Sequence, residues 1–262
     1  MIDALVSGLK EIWKHPLSIL PALIAGIAMA VVFYTVMGSF FELLIDIVFL
    51  GNVPDAGISQ MPFMVFGLYS ADILPMLLAG VVSLVITIAT GFFYSNYAAE
   101  LQEKNPSIGR AFGKTLEQGR EIIALFVFGF MITAAAGIVF WALASVYPAI
   151  GAVSIALAAI IIILVLYFLV KISFVVPAMA IEGEKLKQGI GKSWEFTNKK
   201  FWHVVLFILL VFIITQAIIA AGSAVSGLVL EPAISAIIFA VFWALATAYS
   251  VLAIAFYYLE KE

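Results

Sequence analysis

The chain has no cysteine and only two histidines, His15 and His203, in 262 residues. Without cysteine there is no disulfide, no thiolate metal site and no cysteine nucleophile. The two histidines fall at opposite ends of the sequence, each at the edge of an apolar run. They form no HExxH pattern and no histidine metal cluster. No GxSxG occurs, and no carboxylate lies deep inside an apolar run, where an intramembrane acid or base would have to sit. The sequence therefore reads as that of a non-enzyme that needs no cofactor. Charge is scarce too: 11% of residues are charged and 65% hydrophobic, against about a quarter and about half in soluble domains. No interval between the apolar runs is long enough to fold alone, which excludes a sizeable soluble core.

What is present is a series of apolar blocks of membrane length. At 1.5 Å per helical residue, about 20 residues cross a hydrocarbon core of roughly 30 Å. The sequence predicts an all-α polytopic membrane helical bundle in one domain, 1–262, with six transmembrane helices near 17–41, 73–97, 122–146, 152–175, 201–228 and 234–258. Lys10 and Lys14 are interleaved with Asp3 and Glu11, and the apolar run after them exceeds a signal-peptide core, so the first span is expected to be retained. The fourth apolar run is longer than a straight crossing requires, so it is expected to tilt, to bend near Pro177 or to extend past the membrane surface.

Between the spans lie amphipathic surface segments. Ile2, Leu5, Val6, Leu9, Ile12 and Trp13 recur at helical spacing, which predicts an interfacial helix over 1–16. Ala22, Gly26 and Ala30 then place small residues every four positions in span one, a face that admits another helix closely. Cytoplasmic surface helices are expected at 106–120 and 183–199. Residues 58–75 are too apolar for a free loop; an interfacial and a re-entrant course both stay open.

Basic residues fix the orientation. In a six-span threading all thirteen, from Lys10 and Lys14 through Lys104 and Arg110 to Lys261, fall on one side, while Glu42, Asp46, Asp55, Asp72 and Glu231 mark the other. The positive-inside rule makes that basic side cytoplasmic, with both termini there, in a cell membrane (plasma or inner).

The two larger cytoplasmic loops align without a gap at an offset of 78 residues. Ala-Phe-Gly-Lys-Thr-Leu-Glu (111–117) matches Gly-Ile-Gly-Lys-Ser-Trp-Glu (189–195), each between two spans. An internal repeat of surface helix plus hairpin follows, with the N-terminal helix as a third, eroded copy or as an unrelated segment. The Gly-Lys-Ser and Gly-Lys-Thr triplets do not make phosphate loops. The upstream glycine such a loop requires is replaced by Leu186 and Ile108, so no nucleotide is expected, and no nucleic acid.

Polar residues within spans are few. Lys171 is embedded in an apolar run, where it is either a functional intramembrane charge or a stem that snorkels to the interface. Asn96, Thr87, Thr90 and Gln216 either bond between helices or line a polar path. Lys185, Lys187, Lys192, Lys199 and Lys200 are candidates to hold anionic headgroups or a protein partner, at about 1 kcal/mol per basic residue near a charged surface. Glu182, Glu184 and Glu195 dilute that patch.

Lys171, Pro177, Glu182, Ser193, Trp194, Lys200, Phe201 and Trp202 together form a pattern. A span ends in a basic residue, an apolar turn with proline and a glutamate follow, and a surface helix with a Ser-Trp pair leads to a basic-aromatic start of the next span. This resembles the glycerophosphoryl diester phosphodiesterase membrane-domain family and related bacterial and archaeal multi-span proteins. In those enzymes catalysis belongs to a separate soluble barrel, which this chain lacks, so the resemblance implies a membrane module without the activity. The expected function is a lipid-interacting or partner-docking membrane scaffold, with homo-oligomerisation open. The alternative is a small transporter or lipid flippase whose path runs between the repeated units.

Overall fold

A computed structural model describes residues 1–29, 61–103, 106–150, 152–229 and 231–260. Every regular element among them is helical. The order is α1 (Ile2–Lys14), α2 (Pro16–Met29, opening on a 3-10 turn), α3 (Met61–Glu100), α4 (Ile108–Glu117), α5 (Gly119–Ile150), α6 (Ala152–Ile172), α7 (Val175–Glu182), α8 (Leu186–Lys199), α9 (Phe201–Gly227) and α10 (Pro232–Leu259). Five segments among the described residues are long and apolar enough to cross a membrane: Leu78–Glu100, Gly119–Val139, Ala159–Glu182, Phe201–Gly227 and Ile234–Leu259. A sixth is reached if α1 and α2, bent by 106° at His15, count as one. The chain is an all-α membrane bundle, as its composition requires. The end of span one (30–41), the connector 42–60, and Lys104 and Lys261 lie outside the described residues.

The structure bears on two segments whose course the sequence left open. The described part of 58–75, from Met61 on, neither lies flat as a separate segment nor turns back. It is continuous with the next span in one 40-residue helix, about 60 Å long at 1.5 Å per residue. Pro75 removes only a single amide from the ladder, and an apolar run without water must satisfy its remaining backbone internally. The other segment is the fourth run. It breaks at Ser173 and Phe174, four and three residues before Pro177, and resumes as α7 to Glu182. The amide missing at Pro177 is the one that would have bonded the Ser173 carbonyl, so proline sets the break one turn ahead of itself. Gly183, at φ 67°, then ends α7 in the left-handed conformation that glycine adopts without strain.

Helix α10 is the hub. Its alanines 244, 246, 248, 253 and 255 are buried and leave room for close neighbours. A Cβ at Gly222 of α9 would lie 2.4 Å from Phe242 Cβ, and one at Gly26 of α2 would lie 2.8 Å from the Trp243 ring. Both helices approach α10 at distances only glycine allows. Ala22 and Gly26 thus face the bundle as their spacing predicted, and Ala30 lies beyond the described residues. Helix α1 lies across α10, with Gly8 against the Ala253 backbone and the Tyr249 ring. An aromatic cluster ties α8, α9 and α10 to the interruption in span four: Phe174 meets Phe196 edge-on at 4.6 Å, and Phe207 stacks on Tyr257 at 4.0 Å.

Candidate functional site

The residues that carry chemistry gather where α8 meets the interrupted span. Breaking a helix in an apolar setting frees a carbonyl and an amide, each costing about 1–3 kcal/mol if left unpaired. Ser193 of α8 takes both. Its hydroxyl donates to the Lys171 carbonyl at 2.6 Å and accepts from the Phe174 amide at 3.2 Å. Tyr94 does the same at the start of α2, donating to the Ser18 carbonyl at 2.7 Å and accepting from the Ala22 amide at 3.3 Å.

Lys171 sits beside this plug and is 2% exposed. Its ammonium bonds Asn198 Oδ1 and lies 5.2–5.3 Å from the ring centroids of Tyr167, Trp194 and Phe201. Three ring faces and one amide oxygen replace water around the charge. The lysine does run toward the surface helix, as a snorkelling stem would, yet it ends in an aromatic enclosure rather than in solvent. It pins α6 to α8.

A second junction lies at the positions 78 residues earlier. Asn96, which aligns with Phe174, donates to Thr115, which aligns with Ser193, at 3.1 Å. Asn96 also donates to Gln118 Oε1 at 2.8 Å, and the Gln118 amide reaches the Ala180 carbonyl of α7 at 2.9 Å. One hydrogen-bonded chain thus joins α3, α4 and the α7 end. The Gly-Lys lysines also correspond. Lys114 pairs with Glu100 at 2.7 Å, and Lys192 pairs with Glu182 and, at 2.6 Å, with Glu184. Glu100 is 1% exposed and held by Arg110 as well, at 3.2 Å. On the exposed side, the carboxylates of Glu182 and then Glu184 hold the Lys192 ammonium well above the usual lysine range.

The candidate polar path does not assemble. Asn96 is buried in the network just described, while Thr87 and Thr90 bond back to the carbonyls of Ser83 and Ile86 on their own helix. Gln216 is exposed on α9 among the described residues. Nor do the five candidate headgroup lysines form one patch. Lys185 and Lys187 start α8 and Lys199 and Lys200 end it, about 20 Å apart along the axis. Lys192 is committed to its two glutamates. Lys199 shares its charge with Glu195 at 2.8 Å and, with Lys200 and His203, borders a cavity of about 640 Å³.

The family-like residues fare better. Pro177 sets the break, Ser193 plugs it, and Trp194 and Phe201 enclose Lys171. Glu182 accepts from Tyr258 besides holding Lys192. Trp202 is 77% exposed. Sequence reasoning missed Tyr94, Glu100, Gln118, Asn198 and Tyr258, whose partners are distant in the chain. Only Asn198 carried a signal, since it lies one helical turn beyond Trp194 on α8.

No curated protein and no solved structure matches the chain. Residues 98–259, from the end of α3 to the end of α10, match the family described as "Family of unknown function (DUF7544)". That match covers well over half of the chain and takes in the second junction whole, with Asn96 of the first lying just before it, and the protein belongs to this family.

Proposed function

We propose that the protein is a non-enzymatic, multi-pass scaffold of the cell membrane that organises phospholipid at its cytoplasmic face through α1, α4 and α8. The observation carrying this reading is the three-sided surface of α1. Ala4, Leu5, Gly8 and Ile12 are buried against the bundle. Ile2, Val6, Leu9 and Trp13 form a separate, exposed apolar stripe, with Trp13 90% exposed. Asp3, Lys10 and Lys14 occupy the remaining side, also exposed. A helix with a protein side, an apolar side and a charged side has a low-energy position only at a water–lipid boundary. The bend of 106° into α2 fits a helix lying in that boundary and turning into a span. Ile108, Phe112 and Leu116 make a comparable exposed stripe on α4.

The uneven distribution of the thirteen basic residues supports a cytoplasmic location for these helices and both termini. The repeat reading draws support from the matched Asn96–Thr115 and Phe174–Ser193 contacts. The resemblance of 171–202 to the glycerophosphoryl diester phosphodiesterase membrane-domain family agrees with a membrane module. A transport path is the second reading, and the interruption at 173–174 favours it, because discontinuous helices hold substrates in many transporters. The Ser193 hydroxyl and the enclosed Lys171 fill that gap, which weighs toward the scaffold.

The absence of cysteine makes the test direct. Single substitutions Leu9→Cys, Trp13→Cys, Lys10→Cys and Lys14→Cys are spin-labelled in nanodiscs, and oxygen and nickel-chelate accessibilities are compared. Labels at 9 and 13 are expected at acyl depth and labels at 10 and 14 in water. Equal water accessibility at all four sites sinks the interfacial reading.

A further inference from the structure

The cavity at the end of α8 is bordered by Lys199, Lys200 and His203, floored by the rings of Phe196 and Tyr257, and faced by Glu260. We propose that it binds a phosphate monoester dianion, presented as the headgroup of a phospholipid. This deepens the lipid-organising reading and, for its lipid source, rests on it.

The charge balance favours an anion. Glu260, the one carboxylate facing the cavity among the described residues, is engaged by the Met1 amino group at 2.8 Å, and Lys199 is shared with Glu195. Among the described residues, Lys200 and His203 have no carboxylate partner. Helix α9 begins at Phe201 without a side-chain cap, so the positive end of its dipole adds to these two groups at the same rim. A monoester carries about −1.5 to −2 near neutral pH and three acceptor oxygens. A diester carries a single charge, which Lys200 alone would already balance. The rest of the wall selects a ligand with an apolar side. Phe196 and Tyr257 pack edge-to-face at 5.8 Å and offer carbon to a glycerol backbone. Trp202, next in sequence to the lining residue His203 and 77% exposed, suits the headgroup layer.

The same dianion occurs in soluble phosphate esters, and the experiment separates the sources. Full-length protein in phosphatidylcholine nanodiscs doped with phosphatidic acid is released into native mass spectrometry, and retained lipids are counted. In parallel, glycerol 3-phosphate is titrated and followed by phosphorus NMR. Wild type is expected to retain phosphatidic acid selectively over phosphatidylcholine. Lys200→Gln/His203→Gln should lose that selectivity at least tenfold, which is about 1.4 kcal/mol. Arg120→Gln, an exposed basic residue on α5 outside the cavity lining, should not, and Lys200→Arg should keep it. Unchanged selectivity in the double variant overturns the site. Tight binding of glycerol 3-phosphate without phosphatidic acid selectivity keeps the cavity and overturns its lipid occupant. If neither phosphate ester binds while labels at Leu9 and Trp13 still report acyl depth, this inference fails and the scaffold reading survives.

Discussion

The two junctions, α3 with α4 and the α6–α7 break with α8, occupy corresponding positions 78 residues apart but solve different problems. At the first, the preceding helix is unbroken to Glu100 and the contact is between side chains, Asn96 with Thr115 and Gln118. The charge there is buried: Glu100 is 1% exposed beneath Arg110 and Lys114. At the second, the helix is interrupted, the Ser193 hydroxyl repairs backbone, and the buried charge is cationic, Lys171 among three rings. Its Glu–Lys cluster is more exposed, with Glu182 at 24% and Lys192 at 39%. One unit hides its carboxylate and the other hides its lysine. A shared surface helix can thus be anchored to a span through backbone or through side chains, and only the backbone route requires a hydroxyl at one fixed position.

Substitutions at matched positions test that contrast, measured as thermal stability of purified protein in detergent. The largest effect is expected from Arg110→Met/Lys114→Met, which strands the buried Glu100 carboxylate and should cost about 3–5 kcal/mol. Lys171→Ala comes next, at about 2–5 kcal/mol, because it empties a space lined by Tyr167, Trp194 and Phe201. Lys171→Met refills that space and should recover most of the loss; equal damage from both would mean that charge, not volume, holds the junction. Ser193→Ala leaves the Phe174 amide and the Lys171 carbonyl unpaired and should cost about 2–4 kcal/mol, against about 1 kcal/mol for Thr115→Ala. Equal costs at 193 and 115 would erase the distinction drawn between the junctions. Gly189→Ala should cost about 1–3 kcal/mol, since its Cβ would fall 2.5 Å from Met179 Cγ, whereas the matched position is already Ala111.

The smallest effect belongs to Lys192→Met. The raised lysine contributes fully below the ordinary lysine value of 10.5, and the contribution fades only as pH rises through the higher folded value. The melting difference from wild type should therefore be small and flat from pH 6 to 9, closing only in strong alkali. A difference that changes near neutrality would assign the titration to another group.

The all-helical class and the series of membrane-length apolar helices were legible because each rests on local composition. A run of 20 apolar residues must be helical in lipid, and Lys-rich intervals must lie outside it. The starts of α6, α9 and α10 fall within two residues of expectation. The extension of α3 back to Met61 was not legible, because an apolar interfacial segment and the start of a long helix have the same composition. Nor was the grouping of the lysines, which proximity in sequence presented as one patch and the helix separates into two ends.

The Lys171–His203 stretch stands out from sequence alone as the longest polar interval, and its Pro177 forecasts a bend. That much follows from composition and from the amide proline lacks. The serine that closes the break, the rings that enclose Lys171 and the basic cavity beside them were decided by tertiary structure. Each depends on which face of α8 meets the span, and that face is set by long-range packing of Phe174, Phe196 and Tyr257, which no local spacing encodes.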